Sequence, residues 1–406
     1  MIVNVVKENV VIIGAGHAGL TLAREVRAHC QSTPITIISR EPVRGYYKPN
    51  LSKALSMGKT PDQLVMKEGS TIAAELNVQL LGDCTVTRID AENRVVFAVC
   101  EGSDEVISVP YASLVLATGA NPMKLPVECS PAVERLTVNT LQDYENFRNK
   151  LKGAKRVLII GAGFVGCELA SDLVTNGYAV DVVDMAEWPL QRSMPEVMGT
   201  EIKKAMAEQG VRWHLGLTLE SLTSQDGVVK TARLSNDEVI ETDLIVSAVG
   251  LAPNIKLASE AGISVGRGIV VDESSETSQK GIFALGDCVE YLGVTMPFIA
   301  PATHAAKALA KTLTGKRTAL ELPAMPVAVK ISACPTVICP SLGKKGIWQV
   351  RGAGRDLEAH FINEDGRLSG FSLTGQCISK KGQLASECLP TLPPIASISD
   401  TQEAVA

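Results

Sequence analysis

Two sets of three glycines are the residues of this chain whose type and spacing most directly imply a ligand. Gly14, Gly16 and Gly19 stand in VVIIGAGHAGLTLA (residues 10–23), and Gly161, Gly163 and Gly166 in VLIIGAGFVGCELA (residues 157–170). In a strand–turn–helix unit the first glycine permits the tight turn, the second lets the backbone approach a pyrophosphate, and the third lets helix and strand pack closely. The phosphates then lie against unpaired N–H groups at the positive end of the helix. One G-x-G-x-x-G alone is a weak signal. Here each copy has an apolar strand before it and an amphipathic helical pattern after it, the context the chemistry needs. An acid about 20 residues on, at the end of the next strand, would take ribose hydroxyls. Asp184 fills that place in YAVDVVDMAE, and Asp181, inside the strand, is discounted. Glu41 in TPITIISREP is the counterpart for the first turn, although a solvated loop Glu would read the same. An acid at 184 favours the 2′-hydroxyl of NADH and repels the extra phosphate of NADPH. Two dinucleotide sites in one chain have a simple chemical meaning: one holds a resident flavin, the other a transient nicotinamide, and hydride passes between them.

The rest of the chain must position those turns. With 406 residues, two or three domains are expected. The 46% apolar content suits a packed globular enzyme, and a net charge of −5 leaves no global basic field for nucleic acid. The opening MIVNVVKENVVIIGAG lacks a basic leader and a cleavage site, so it reads as a first strand. No apolar run approaches the length of a membrane span. Ten scattered cysteines make no disulfide framework, so reduced thiols and a cytoplasmic setting are expected. Cys334 and Cys339 form a Cys-x4-Cys, read as small apolar residues on a strand rather than as a redox pair. No metal site is expected: no second ligand pair follows, and the five histidines, His17, His29, His214, His304 and His360, do not cluster.

Three further stretches make the pattern specific. LVLATGANP (residues 114–122) is a buried strand ended by Thr118 and Gly119, SAVGLAPN (247–254) repeats its form, and QKGIFALGDC (279–288) places Asp287 after a strand and a glycine. Together they resemble the FAD-dependent pyridine nucleotide oxidoreductases of the two-dinucleotide-domain type. GYYKPNLSKAL (45–55), with Lys48 in place of the usual Arg, and MPVAVKISACPTVICP (325–340) are similar to segments of the ferredoxin and rubredoxin reductase branch. The resemblance implies an α/β fold of two Rossmann-like domains, the NAD domain inserted in the FAD domain, plus a C-terminal α+β domain. Its implied boundaries are 1–118 and 251–321 for FAD, 119–250 for NAD, 322–393 for the C-terminal domain and 394–406 for a flexible tail.

The same resemblance implies the site. FAD would lie along Gly14, Ala15, Gly16, His17, Ala18 and Gly19, with Glu41 at its ribose. Lys48, Pro49, Val86, Ala117, Thr118, Gly119, Asp287 and Lys330 would complete the cofactor contacts, Asp287 on the ribityl chain. NADH, a diffusible co-substrate, would lie on Gly161, Gly163, Phe164, Val165, Gly166, Asp184 and Gly250. Reduced flavin carries negative charge near N1 and O2, which side chains or helix ends must balance. Lys48, Lys53 and Lys330 are the candidate cations. Lys48 or Lys53 is expected to pair with Glu168, and these four residues make up the candidate catalytic set. FIAPATHAAKALAKTL resembles the helix that begins beside the flavin, with Pro301 and Thr303 as its start signals. His304 reads as a packing neighbour, since hydride transfer to flavin needs no general acid on the nicotinamide.

Disulfide reductases and thiol peroxidases of the wider family carry cysteine beside the flavin, on the helix after the second strand. This chain has none between Cys30 and Cys84, so electrons must leave the flavin directly. From Lys307 to Pro390 there are 12 Lys or Arg against 6 Asp or Glu, a basic balance that would steer a small acidic iron protein such as rubredoxin. A [2Fe–2S] ferredoxin of an oxygenase system or a nitric-oxide-reducing flavorubredoxin are alternative acceptors. A flavin-bound redox sensor is the alternative from another class. Nothing signals a dimer seam, and a monomer suffices.

Overall fold

The computed structural model describes residues 9–103, 105–224 and 229–392. The leading residues 1–8 and the tail expected at 394–406 lie outside them. Within the described part the opening strand runs over Val10–Ile13, with every side chain buried. Such a run of β-branched residues, apolar on both faces, is what a parallel sheet covered on two sides requires.

That strand is central to a five-stranded parallel sheet. Its order is Ile282–Ala284, Ser113–Leu116, Val10–Ile13, Ile35–Ile38 and Gln79–Leu81. A second parallel sheet repeats the plan in the order Val211–Leu215, Ala179–Asp184, Arg156–Ile160 and Leu244–Ser247. In both, the chain leaves a central strand through a glycine turn into a helix: α1 (His17–His29) in the first fold and α2 (Phe164–Thr175) in the second. It returns to one side of that strand, a further parallel strand adds beyond it, and a later one, Ser113–Leu116 or Leu244–Ser247, lies on the other side. The turn therefore sits where strand order reverses, the crevice in which open α/β sheets bind ligands. The second fold interrupts the first, because Ile282–Ala284 comes back to complete the first sheet. The two crossings pair as an antiparallel ribbon, Ala120–Pro122 against Leu251–Pro253. Thr118 Oγ1 donates to Asn254 O at 3.0 Å, and Asn254 Nδ2 donates to Thr118 O at 2.8 Å, which ties the crossings at their base.

A third sheet, antiparallel and five-stranded, follows in the order Val327–Val329, Thr336–Cys339, Leu368–Thr374, Asp356–Asn363 and Gly346–Ala353. The sequence stretches LEAHFI and LSGFSL fall on its fourth and third strands respectively, joined through a turn at Gly366 with φ +75°. One face of this sheet contributes Ile338, Leu357 and Ala359 to a core shared with Leu169 and Leu173 of α2 and with Leu51. The other face packs Phe371 and Leu373 against Leu384 and Cys388. The C-terminal sheet is thereby fixed to α2, the helix of the second fold, by hydrophobic burial.

The structure corrects one expectation. Cys84 and Cys100 are joined by a disulfide, not both free, because the antiparallel register of Cys84–Asp90 with Val95–Cys100 sets them directly opposite. The other eight cysteines are free thiols, including Cys334 and Cys339, both buried. The helix beside the first cradle, α3 (Ile299–Leu313), starts two residues before Pro301. Pro301 thus stands in its first turn, where a missing N–H costs nothing.

Candidate functional site

The first cradle is built by the backbone. Gly14 has φ +115°, and a Cβ there would meet Ala117 O at 2.2 Å. A Cβ on Gly19 would lie 2.0 Å from Gly14 O, so that position lets the helix close on the turn. Gly16, the N-cap of α1, has open space around it and no side-chain cap. The first N–H groups of α1 are thus presented outward, as an anionic pyrophosphate requires. The second cradle repeats every element: φ +111° at Gly161, a Cβ on Gly166 1.9 Å from Gly161 O, and open space at the uncapped Gly163.

Around the first cradle stand the partners a resident cofactor needs. Asp287 follows Gly286, and no protein hydrogen bond reaches its carboxylate among the described residues; burial raises its pKa while Lys48 pulls it the other way. A half-buried acceptor lacking a protein donor fits a ligand hydroxyl. His17 Nε2 lies 3.0 Å from Thr303 Oγ1, which joins the start of α1 to the start of α3. Burial lowers the His17 pKa, helped by Arg24, which favours the neutral imidazole. The α3 N-cap, Phe298, makes no side-chain cap, so this helix end too offers free N–H groups. Glu41 is exposed, 3.6 Å from Arg40, with its N–H on Ser39 Oγ. Val86 sits on the strand opposite Ala98, two residues past the disulfide.

Asp184 ends its strand as expected, yet it does more than wait for a ribose. Its Oδ2 accepts the Ala162 N–H at 2.5 Å and its Oδ1 the Ala186 N–H at 2.9 Å, so it also braces the second glycine turn. Asp181 is engaged elsewhere, with Arg212 at 2.6 and 2.9 Å and His214 at 2.9 Å. Phe164 meets Phe298 edge to face with centroids 5.9 Å apart, so the two cradles touch through one aromatic contact. Gly250, φ +111°, closes the far side near Met123.

Between the cradles runs the 3₁₀ turn Lys48–Lys53, opened by Pro49, with Leu51 and Ser52 buried. Here the expected ion pair is corrected. Glu168 pairs with Lys330, Nζ to Oε2 at 2.6 Å, and neither Lys48 nor Lys53 reaches it. Its other partners are Ser52 Oγ at 2.5 Å and the Lys330 N–H at 3.0 Å. Lys330 wins because the backbone of the same residue is already docked on Oε1, which sets its ammonium beside the carboxylate. Glu168 is 6% exposed and joins three parts of the molecule: the Lys48–Lys53 turn, α2 and the C-terminal sheet. Sequence reasoning missed Ser52, Ser171 and Asp172, all buried polar residues at this junction. The available signal was Glu168, Ser171 and Asp172 at helical spacing i, i+3, i+4 within an otherwise apolar helix.

No cysteine lies in the turn. Cys167, next to Glu168, and Cys288, next to Asp287, are fully buried, with pKa values raised by burial, and donate to the backbone at Ala162 O and Leu116 O. Beside the turn lies a cavity of about 300 Å³ bounded by Lys53, Lys330, Ser332, Thr336, Ile378 and Lys381, open towards the C-terminal sheet. Among the described residues no helix is long and apolar enough to cross a membrane.

This double-cradle architecture has relatives. Residues 8–308 match the pyridine nucleotide-disulphide oxidoreductase family, and residues 319–388 match the rubredoxin binding C-terminal domain. The chain belongs to the pyridine nucleotide-disulphide oxidoreductase family. It is 38% identical to a rubredoxin-NAD(+) reductase of Alcanivorax borkumensis, over 95% of this chain and 99% of that one. It is 36% identical to a nitric oxide reductase FlRd-NAD(+) reductase of Aeromonas salmonicida, over 92% and 95%. Among solved structures it is similar to the reductase of a covalent putidaredoxin reductase–putidaredoxin complex, at 28% identity and a TM-score of 0.84, covering 94% of this chain and 93% of that one.

Proposed function

We propose that this protein is an NADH-dependent FAD flavoprotein that passes electrons to rubredoxin. The observation that carries the reading is the union of two dinucleotide cradles, a thiol-free turn between them, and a C-terminal segment that matches a rubredoxin-binding domain. FAD held on the first cradle supplies the two-to-one electron step that a hydride donor and a one-iron acceptor need.

The chain's own residues do the rest. The α1 N-terminus holds the pyrophosphate of FAD, Asp287 its ribityl hydroxyls and Glu41 its ribose. The α2 N-terminus and Asp184 hold NADH. Lys48, beside Asp287, and Lys330, fixed by Glu168, set positive potential where charge accumulates, and the N–H groups at the start of α3 add to it. Electrons leave towards the C-terminal sheet, with no thiol between. Several basic groups of that region are spent internally: Lys330 on Glu168, Arg355 on Glu208, Lys380 on Glu358, and Arg317 on Asp272 and Glu276. Among the described residues Lys53 and Lys381, at the cavity rim, and Lys345 and Arg351 make no ion pair, so they are free to meet an acidic partner.

The test is NADH-driven reduction of purified rubredoxin and a [2Fe–2S] ferredoxin in parallel, at low and high salt. Faster reduction of rubredoxin, slowed by salt, is expected. Preference for ferredoxin would reassign the acceptor, and a flavorubredoxin domain belongs in the same assay because of the FlRd-NAD(+) reductase relative.

A further inference from the structure

The α2 helix turns a polar stripe inward. Glu168, Ser171 and Asp172 share one helix face and are all buried. On an isolated nucleotide fold such a stripe would face water. Here each member reaches out of its own fold. Besides the Glu168 contacts, Ser171 Oγ accepts the Ser332 N–H at 3.3 Å and lies 3.2 Å from Ser332 Oγ. Asp172 accepts the Leu55 N–H at 3.1 Å, the Ser56 N–H at 2.9 Å and the Ser56 hydroxyl.

Leu55 and Ser56 directly follow the Lys48–Lys53 turn, so Asp172 closes the end of the segment that carries Ser52 and Lys53. Three donors from two consecutive residues on one buried carboxylate make a rigid strut. Loss of that carboxylate removes the shared acceptor of two part-buried N–H groups and a hydroxyl, which frees the loop to move. Phe164, at the nicotinamide cradle, begins the same helix about two turns away, so one element fixes both ends of the geometry.

We propose that Asp172 is a positioning residue for hydride transfer, holding the Lys48–Lys53 turn in register with the nicotinamide cradle. This rests on the functional reading above, in which the turn flanks the flavin and α2 opens on NADH. Asp172 acts through Leu55 and Ser56 and has no part in the glycine cradle, so its loss appears in the rate of transfer and not in nucleotide affinity. A misplacement of ~1 Å between reacting groups is worth on the order of 100-fold in rate.

The experiment is anaerobic stopped-flow reduction of the FAD-loaded protein by NADH, for wild type, Asp172→Asn and Ser56→Ala. Asp172→Asn is expected to retain FAD and to lower the limiting rate of flavin bleaching about 10-fold or more, with half-saturating NADH within about 2-fold of wild type. Ser56→Ala, which deletes one of the three donors, should fall between and keeps the test open if Asp172→Asn does not fold. A limiting rate unchanged in both variants, even with a lowered melting temperature, overturns the positioning role. An effect confined to half-saturating NADH overturns it equally. Wild type that NADH fails to bleach would instead reject the functional reading itself, and the positioning role with it.

Discussion

The two cradles are the same object at the backbone and different objects beyond it. Gly14 N–H donates to Ile38 O and Gly161 N–H to Val183 O, each at 2.8 Å; Leu20 N–H donates to Gly16 O and Cys167 N–H to Gly163 O, each at 3.0 Å. The surroundings diverge. The first cradle is roofed by α3, pinned through His17 and Thr303, with the Asp287 carboxylate set in its wall. The second meets the N-cap of that roof through Phe164, and its rim shows Val165 43% exposed and Met185 69% exposed. Enclosure slows departure, whereas an open apolar rim lets a ligand come and go. The same turn thus suits a resident and a visitor according to what covers it.

Matched substitutions separate the two with the largest effect. Gly19→Val should abolish FAD retention, whereas Gly166→Val should leave the protein yellow and lower NADH-driven reduction on the order of 100-fold, since each added side chain enters a backbone carbonyl's space. Flavin fluorescence after gel filtration and NADH titration read the two outcomes, and a colourless Gly166→Val would merge the sites. Lys330→Met comes next. It strips the partner from buried Glu168, should cost about 3 kcal/mol of stability, the low end for breaking a buried pair, and should make the flavin harder to reduce. Denaturant unfolding and a flavin midpoint titration check both effects, and an unmoved potential would remove Lys330 from the site. Asp184→Ala should weaken NADH binding by roughly 1.5–3 kcal/mol, as for a hydrogen bond to a charged group, without loss of flavin. Loss of flavin there would mean that the tenants are exchanged. By contrast Glu41→Ala, at an exposed carboxylate, should shift FAD affinity by less than about 1 kcal/mol.

A pH effect on stability is expected in the second fold. The His214 pKa is raised, chiefly by its hydrogen bond to Asp181 with Glu238 adding to it, against burial. Burial works to raise Asp181, but hydrogen bonds from His214 and Arg212 outweigh it and hold its pKa below the ordinary 3.8. The histidine's contribution to stability is complete below its ordinary pKa of 6.5 and is lost as pH rises through the raised folded value. The aspartate's contribution is present above 3.8 and is lost as pH falls through the depressed folded value. Thermal unfolding of His214→Gln against wild type should therefore show a gap at pH 6 that narrows by pH 8. A gap of constant size would reject the linkage.

What the sequence disclosed was whatever is encoded locally. The glycine turns, their flanking strands and Asp184 follow from spacing within some 30 residues, and discounting Asp181 agrees with its structural engagement by Arg212 and His214. The junction was not legible. Glu168 meets Ser52 across 116 positions and Lys330 across 162, and no local pattern tells which lysine arrives. The disulfide escaped for a similar reason. Cys84 and Cys100 become opposed only once the hairpin register is set, including a bulge between Val86 and Arg88. By contrast the start of α3 was marked locally, since Pro301 stands in its first turn.

The central claim is direct passage of electrons from NADH to rubredoxin without a sulfur relay. The measurement closest to it is an anaerobic titration of rubredoxin with limiting NADH and catalytic FAD-loaded protein whose accessible thiols have been alkylated. Two rubredoxins reduced per NADH, at the rate of the unmodified protein, is the predicted result. A flavin that bleaches while rubredoxin stays oxidised after alkylation would contradict it.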